Sequence, residues 1–62
     1  MRTPHNIRKI ILIVEDEPSI CEICQQVLTA NGFDADTAEN GKVAQAMILE
    51  KQYDMCLIDI RM

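Results

Sequence analysis

The chain contains 62 residues, enough for one small domain, and chains of about 60 residues bury only about 60% of the surface that they expose when unfolded. Hydrophobic residues make up 48% of the sequence and charged residues 26%, which is typical of a globular protein and excludes an intrinsically disordered chain. The formal net charge of -4 argues against a direct nucleic-acid partner, and no apolar run approaches the roughly 20 residues of a membrane span.

The N-terminal residues 1–7 are polar and include Pro4, which predicts a flexible lead-in before a domain over residues 8–62. This segment lacks the apolar stretch of a signal peptide. Three cysteines are an odd number, which favours reduced thiols over a disulfide framework. We therefore expect a cytoplasmic protein that contacts no membrane.

A buried strand and a helix are predicted first along the domain. Ile10 to Val14 are five consecutive apolar residues, four of them β-branched, a pattern that indicates a strand buried on both faces. A helix follows, because Pro18 suits a first helical turn and Gly32 suits the position after a last one. Its apolar residues recur at helical spacing: Ile20, Ile23, Cys24, Val27 and Leu28.

A second strand, helix and strand complete the predicted order. Phe33 to Ala38 alternate in polarity and predict a short, half-exposed edge strand. Asn40-Gly41 opens a helix whose apolar stripe is Val43, Ala44, Met47 and Ile48. Tyr53 and Asp54 turn the chain into a third, buried strand with the sequence MCLIDI. Alternating strands and helices predict an α/β fold with parallel strands and right-handed crossovers.

Three carboxylates mark the candidate site. In open parallel sheets, chemistry gathers beyond the carboxyl ends of the strands, and those ends carry Glu15, Asp16 and Asp59. If the first and third strands lie side by side, two such charges about 4 Å apart repel by ~4 kcal/mol at an effective dielectric constant near 20. A divalent cation relieves this repulsion, and Mg²⁺ suits one or two carboxylates with retained waters.

Four ordered motifs resemble the N-terminal half of the receiver domain of response regulators, the phosphoacceptors of two-component signalling. They are IILIVEDEP, a helix ending in ANGF, then AENGKVAQAM and YDMCLIDIRM, and together they span nearly all of residues 8–62. The resemblance implies a flavodoxin-like, doubly wound parallel sheet. Its strand order is 2-1-3 for the strands present and 2-1-3-4-5 for the whole domain.

The resemblance also implies a role for particular residues. Asp59 is the implied phosphoacceptor, which takes the group from a phosphohistidine of a histidine kinase or phosphotransfer protein. Asp16 and Asp59 are the implied direct ligands of Mg²⁺. Glu15 acts mostly through water, and the backbone carbonyl of Arg61 completes the metal site. The implied protein is a signalling module and not an enzyme.

The same resemblance implies a hydroxyl residue ending a fourth strand and a lysine ending a fifth, and neither strand exists within these 62 residues. We therefore expect an incomplete, truncated receiver domain, completed by dimerisation or by a missing C-terminal half. The isolated chain is expected to bind Mg²⁺ weakly and to be an incompetent phosphoacceptor. Its exposed third strand is expected to form homo-oligomers, for example with the sheet order 2-1-3-3-1-2.

Two other functions compete with phosphotransfer. The first is a phosphorylation-silent fragment that associates through its exposed strand edge. The second, weaker alternative is a thiol redox domain, since Cys21 and Cys24 are separated by two residues near a helix start. Their spacing also follows the apolar stripe of the helix, which places Cys24 among core positions, and no Trp, Gly or Pro flanks or splits the pair. Cys56, in the third strand, is expected to be a small buried hydrophobic residue.

Overall fold

The computed structural model describes residues 8–58, which form three strands and two helices. In chain order these are β1 (Ile10–Val14), α1 (Pro18–Ala30), β2 (Asp34–Ala38), α2 (Gly41–Glu50) and β3 (Met55–Ile58). The sheet has the order β2-β1-β3, and both pairs of strands are parallel. This confirms the predicted α/β class and the strand order 2-1-3. The predicted lead-in over residues 1–7 and the last two residues of the predicted third strand, Asp59 and Ile60, lie outside the described residues.

β1 is the central strand of the sheet. Its partners run in register from Ile10 opposite Asp34 to Val14 opposite Ala38 on one side, and Val14 lies opposite Ile58 on the other. The side chain of Leu12 is fully buried. Its neighbours Ile11 and Ile13 are also buried, which confirms the prediction of a strand buried on both faces.

The end of α1 and the start of α2 lie where the sequence predicts them. Gly32 has φ +90°, and the N–H of Phe33 donates to the carbonyl of Leu28 at 3.0 Å, so α1 ends in a Schellman motif that requires a left-handed residue. α2 begins where predicted, because Oδ1 of Asn40 accepts a hydrogen bond from the N–H of Val43 at 2.9 Å. These caps fix where each helix leaves the sheet.

The small core lies between β1, β2 and α2. Leu12, Ala38 and Ala44 form its buried centre, and the half-buried Met47 and Tyr53 pack against them. Ala44 and Met47 therefore face the sheet as predicted. Val43 and Ile48, the other two residues of the predicted stripe, are 36% and 49% exposed, so the prediction is wrong for them. No helix within residues 8–58 has the length and apolar character needed to cross a membrane.

The expected burial of the α1 stripe is wrong in part. Ile23 and Val27 are 60% and 55% exposed, and α1 contains no buried residue. Cys24 and Leu28 are half-buried. α1 packs only on β1 and β2. The rest of its apolar face has no packing partner among the described residues.

β3 forms as predicted, but the prediction that it is buried is wrong. All four of its residues are exposed, including Cys56, which was expected to be buried. β3 pairs with β1, yet neither α1 nor α2 packs against it. An apolar run thus forms a strand through its hydrogen bonds, whereas its burial depends on elements that cover its faces.

Candidate functional site

Glu15 and Asp16 follow β1 directly, at the carboxyl end of the sheet. The N–H of Glu15 donates to the carbonyl of Ala38 at 3.0 Å, which extends the β1–β2 ladder by one residue. Glu15 is only 4% exposed, and its Oε1 accepts a hydrogen bond from the N–H of Glu17 at 3.1 Å. Asp16 is exposed. One carboxylate is therefore held against the protein, while its neighbour reaches solvent.

Two cavities open beside these carboxylates, one on each face of the sheet. The larger, of about 490 Å³, lies against the start of α2 and includes Asn40, Ile48 and Ile58 in its lining. The smaller, of about 310 Å³, lies against α1 and includes Cys21 and Glu39. Glu15 and Asp16 line both cavities. The acidic pair thus borders a cavity on each side of the sheet edge, where the exposed Asp16 reaches solvent, as a site beyond the strand ends requires.

Asp59 and Arg61 lie outside the described residues, so their predicted roles stay predictions. Ile58, which precedes Asp59 in the chain, pairs with Val14, which precedes Glu15. This register supports the expectation that the ends of β1 and β3 meet at one edge. Within residues 8–58, no group of three or more His, Cys, Asp or Glu side chains could hold a metal ion. The described part of the chain therefore offers two carboxylates to a cation.

The two cysteines of α1 do not have the environment of a redox pair. The thiol of Cys21 donates a hydrogen bond to the carbonyl of Glu15 at 3.2 Å. Burial raises the pKa of Cys21, and the neighbouring negative charge of Glu15 raises it further. A redox-active cysteine needs a lowered pKa. The hydrogen bond of Cys21 and its raised pKa thus argue against the thiol redox alternative. The thiol of Cys21 instead holds the backbone carbonyl of Glu15 in place.

The segment between α2 and β3 carries contacts that sequence reasoning missed. The hydroxyl of Tyr53 donates to Oδ2 of Asp36 in β2 at 2.7 Å, and Nζ of Lys51 lies 3.0 Å from the same oxygen. These hydrogen bonds, that of Tyr53 first, lower the pKa of Asp36. Burial and the bond to Asp36 raise the pKa of Tyr53 to about 12. These contacts connect the segment that leads into β3 with β2, the strand at the other edge of the sheet.

Asp54 positions β3 itself. Its N–H donates to the carbonyl of Ile10 at 2.8 Å, and its Oδ2 accepts from the N–H of Ile10 at 2.7 Å. Asp54 was predicted only as a turn residue. Its paired bonds to the first residue of β1 fix the start of β3 against β1, and hence the register at the acidic end. An aspartate directly before an apolar run was the one available signal.

A family model described as the response regulator receiver domain matches residues 11–62. The chain belongs to this family. Over 52 residues it is 40% identical to the transcriptional regulatory protein ZraR of Salmonella typhimurium, a match that covers 84% of this chain and 12% of that protein. It is 36% identical over 55 residues to the response regulator protein PilR of Pseudomonas aeruginosa, with 89% of this chain and 12% of PilR covered.

A shorter relative is also similar to this receiver chain. The transcriptional regulatory protein DltR of Streptococcus agalactiae is 42% identical over 50 residues, which cover 81% of this chain and 22% of DltR. The chain therefore spans less than a quarter of the length of these relatives. No solved structure matches it. Membership of the receiver family agrees with the parallel sheet of order β2-β1-β3 and with the acidic pair after β1.

Proposed function

We propose that this chain is the phosphoacceptor portion of a two-component receiver domain, with Asp59 as the acceptor. A carboxylate oxygen of Asp59 attacks the phosphorus of a phosphohistidine on a histidine kinase or phosphotransfer protein. The bond between phosphorus and the ring nitrogen breaks, the nitrogen keeps its electron pair, and an acyl phosphate forms. The observation that carries the proposal is the pairing of Val14 with Ile58, which aligns the positions just before Glu15 and Asp59.

Mg²⁺ is the cation that best suits the donors at this edge. Glu15 and Asp16 supply hard carboxylate oxygens, and within residues 8–58 no group of three or more His, Cys, Asp or Glu side chains makes a closed metal cage. Mg²⁺ prefers one or two carboxylates and keeps several waters, so the donor set fits it. In the proposal Asp16 and Asp59 bind the ion directly, Glu15 acts through water, and the carbonyl of Arg61 completes the set.

The bound ion would supply positive charge next to the incoming phosphoryl oxygens. The chain's own contribution is positional. The hydrogen bond from the N–H of Glu17 orients the carboxylate of Glu15, and the Asp54–Ile10 bonds set where β3 ends. Phosphoryl transfer is catalysed mostly by positioning and electrostatic stabilisation, so these contacts act on rate without touching the phosphoryl group.

The lysine and hydroxyl residue that the family resemblance implies have no matching position within residues 1–62. Removing one such charge-stabilising donor typically costs ~3 kcal/mol, or roughly a hundredfold in rate. We therefore expect acetyl phosphate and Mg²⁺ to leave the 62-residue chain essentially unphosphorylated. Joining the second half of a family member's receiver domain after Met62 is expected to restore phosphorylation. Intact-mass spectrometry measures both.

Asp59→Asn in the joined protein is expected to abolish the gain of one phosphoryl group. Asp34→Asn is the matched control, because it removes a carboxylate from the far edge of the sheet and is expected to leave phosphorylation unchanged. Phosphorylation that survives Asp59→Asn would refute Asp59 as the acceptor. A folded joined protein that gains no phosphoryl group would refute the proposed function.

A further inference from the structure

The turn between β1 and α1 carries the acidic pair, and the start of α1 holds this turn on both sides of Asp16. The carbonyl of Glu17 accepts hydrogen bonds from the N–H groups of Ile20 and Cys21, at 3.1 and 3.0 Å. The carbonyl of Glu15 accepts a hydrogen bond from the thiol of Cys21 at 3.2 Å. Cys21 therefore donates to the residue after Asp16 through its backbone and to the residue before it through its side chain.

The position of Cys21 in α1 explains this reach. Cys21 is the fourth residue of the helix, and side chains on an α-helix tilt toward the helix N-terminus. Its thiol can therefore reach back to the end of β1, where Glu15 lies. Cys24, three residues later, instead lines a cavity with Ile20 and Leu57. The two thiols of the Cys21-x-x-Cys24 pair thus have different surroundings.

The carbonyl of Glu15 belongs to the peptide unit that leads into Asp16. A peptide unit is planar and includes the Cα atoms of both residues that it joins. A hydrogen bond to this carbonyl therefore fixes the plane in which Cα of Asp16 lies, and so restricts where its exposed side chain can point. A ligand that is already oriented loses less conformational freedom when it binds a cation.

We propose that Cys21 is a positioning residue of the cation site, whose thiol holds the Glu15–Asp16 peptide in the orientation in which Asp16 binds Mg²⁺. The inference rests on the proposed function, which makes Asp16 a direct ligand. Hydrogen-bonding partners behind metal ligands typically contribute roughly ten- to a hundredfold to metal affinity. A thiol is a weak donor, so we expect a smaller contribution from Cys21.

A second side chain of α1 also bonds to the sheet, which allows positioning to be separated from helix packing. Nε2 of Gln25 donates to the carbonyl of Ala35 in β2 at 2.7 Å. Gln25 lies four residues after Cys21 and hence on the same face of the helix. Both bonds hold α1 on the sheet. That of Cys21 ends on the acidic turn, whereas that of Gln25 ends on β2.

Magnesium titration of the 62-residue chain tests the role of Cys21, with the amide NMR signal of Asp16 as the readout and a reductant present. Cys21→Ala is expected to raise the dissociation constant for Mg²⁺ by about fivefold. Cys21→Val lacks a donor as well but keeps the bulk of the side chain, so it gives the same result should Cys21→Ala misfold. Cys21→Ser is expected to restore the affinity to within about twofold, because a hydroxyl also donates.

Cys24→Ala and Gln25→Ala are the matched controls. The first removes a sulfur atom from another half-buried position of the same helix, and the second removes the other side-chain bond between α1 and the sheet. Both are expected to leave the dissociation constant for Mg²⁺ unchanged. The metal-free amide spectrum establishes that each variant is folded.

The outcomes separate this inference from the proposed function. A wild-type chain whose Asp16 signal does not respond to Mg²⁺ would refute the cation site and this inference with it. If Cys21→Ala binds Mg²⁺ as tightly as the wild type, the cation site stands and the role of Cys21 is overturned. An equal loss of affinity in Cys21→Ser or Gln25→Ala also overturns it, because packing of the helix would then explain the effect.

Discussion

The two sides of β1 differ in how their strand pairs are supported. On one side, β1 pairs with β2 over five residues, and both α1 and α2 pack on this pair. On the other side, β1 pairs with β3 over four residues, and neither helix covers β3. The number of paired residues is nearly the same on both sides, so the two sides differ in whether helices pack over them. The proposed phosphoacceptor therefore follows the strand that neither helix covers.

The largest expected effect is a difference in lost stability between a leucine substitution in β1 and one in β3. Leu12→Ala in β1 is expected to lower the free energy of unfolding by about 3 kcal/mol, because it empties a fully buried position. Leu57→Ala in β3 is expected to cost about 1 kcal/mol, since the side chain is 39% exposed. Urea unfolding at low-micromolar concentration measures both. Equal losses would show that β3 is as well supported as β1.

A smaller effect is expected at Tyr53, which connects the segment before β3 with β2. Tyr53→Phe removes the hydrogen bond to the Asp36 carboxylate and is expected to cost about 1.5 kcal/mol at neutral pH. Asp36→Asn tests the same bond from its other partner. In a double-mutant cycle, the two changes together are expected to cost less than their sum, because they remove one shared interaction. Strict additivity would contradict a direct bond.

The pH dependence of this bond has a definite sign. Tyr53 has a pKa of about 12 in the folded state against about 10 in an unfolded chain, so its stabilisation is present below pH ~10 and is lost as pH rises through 12. The lowered pKa of Asp36 gives stability present above pH ~4 and lost as pH falls through the folded-state pKa. Tyr53 is the one tyrosine, so ultraviolet titration reports it alone. Asp36→Asn is expected to lower the pKa of Tyr53, while burial, the larger cause, keeps it above its ordinary value.

The smallest effect compares an aspartate on each side. Asp54→Ala removes the carboxylate that accepts from the N–H of Ile10 and is expected to cost about 1 kcal/mol. It is also expected to speed hydrogen exchange in β3 more than in β2. Asp34→Ala removes an exposed ion pair with Arg8 on the other side and is expected to cost at most about 0.5 kcal/mol. Equal exchange in both strands of Asp54→Ala would refute its role in positioning β3.

Local signals in the sequence predicted the elements of the fold well. The apolar run of β1, the glycine at position 32 and the cap at Asn40 each act through neighbouring backbone, so their effects can be predicted without knowing the tertiary structure. Burial was predicted less well. Ile23 and the residues of β3 have apolar patterns typical of a core, yet they are exposed because nothing within residues 8–58 packs over them.

The candidate site shows the same division. The predicted order of elements placed Glu15 and Asp16 at the carboxyl end of β1, where they lie in the structure, and their role in a site stays a prediction. The contacts that position that edge were missed, because Tyr53–Asp36 and Asp54–Ile10 join residues far apart in sequence through single side chains. Such pairs leave no periodic pattern. Asp59 and Arg61 were assigned through the family resemblance, and their roles stay predictions.

Manganese titration followed by NMR tests most directly whether the two sides of the sheet meet in one cation site. Mn²⁺ replaces Mg²⁺ at oxygen ligands and broadens the signals of nearby nuclei. We predict that the amide signals of Glu15 and Asp16 broaden first, and that Asp16→Asn and Asp59→Asn each weaken this effect while Asp34→Asn does not. Broadening at Glu15 that is unchanged in Asp59→Asn, or that centres on β2 instead, would contradict the account.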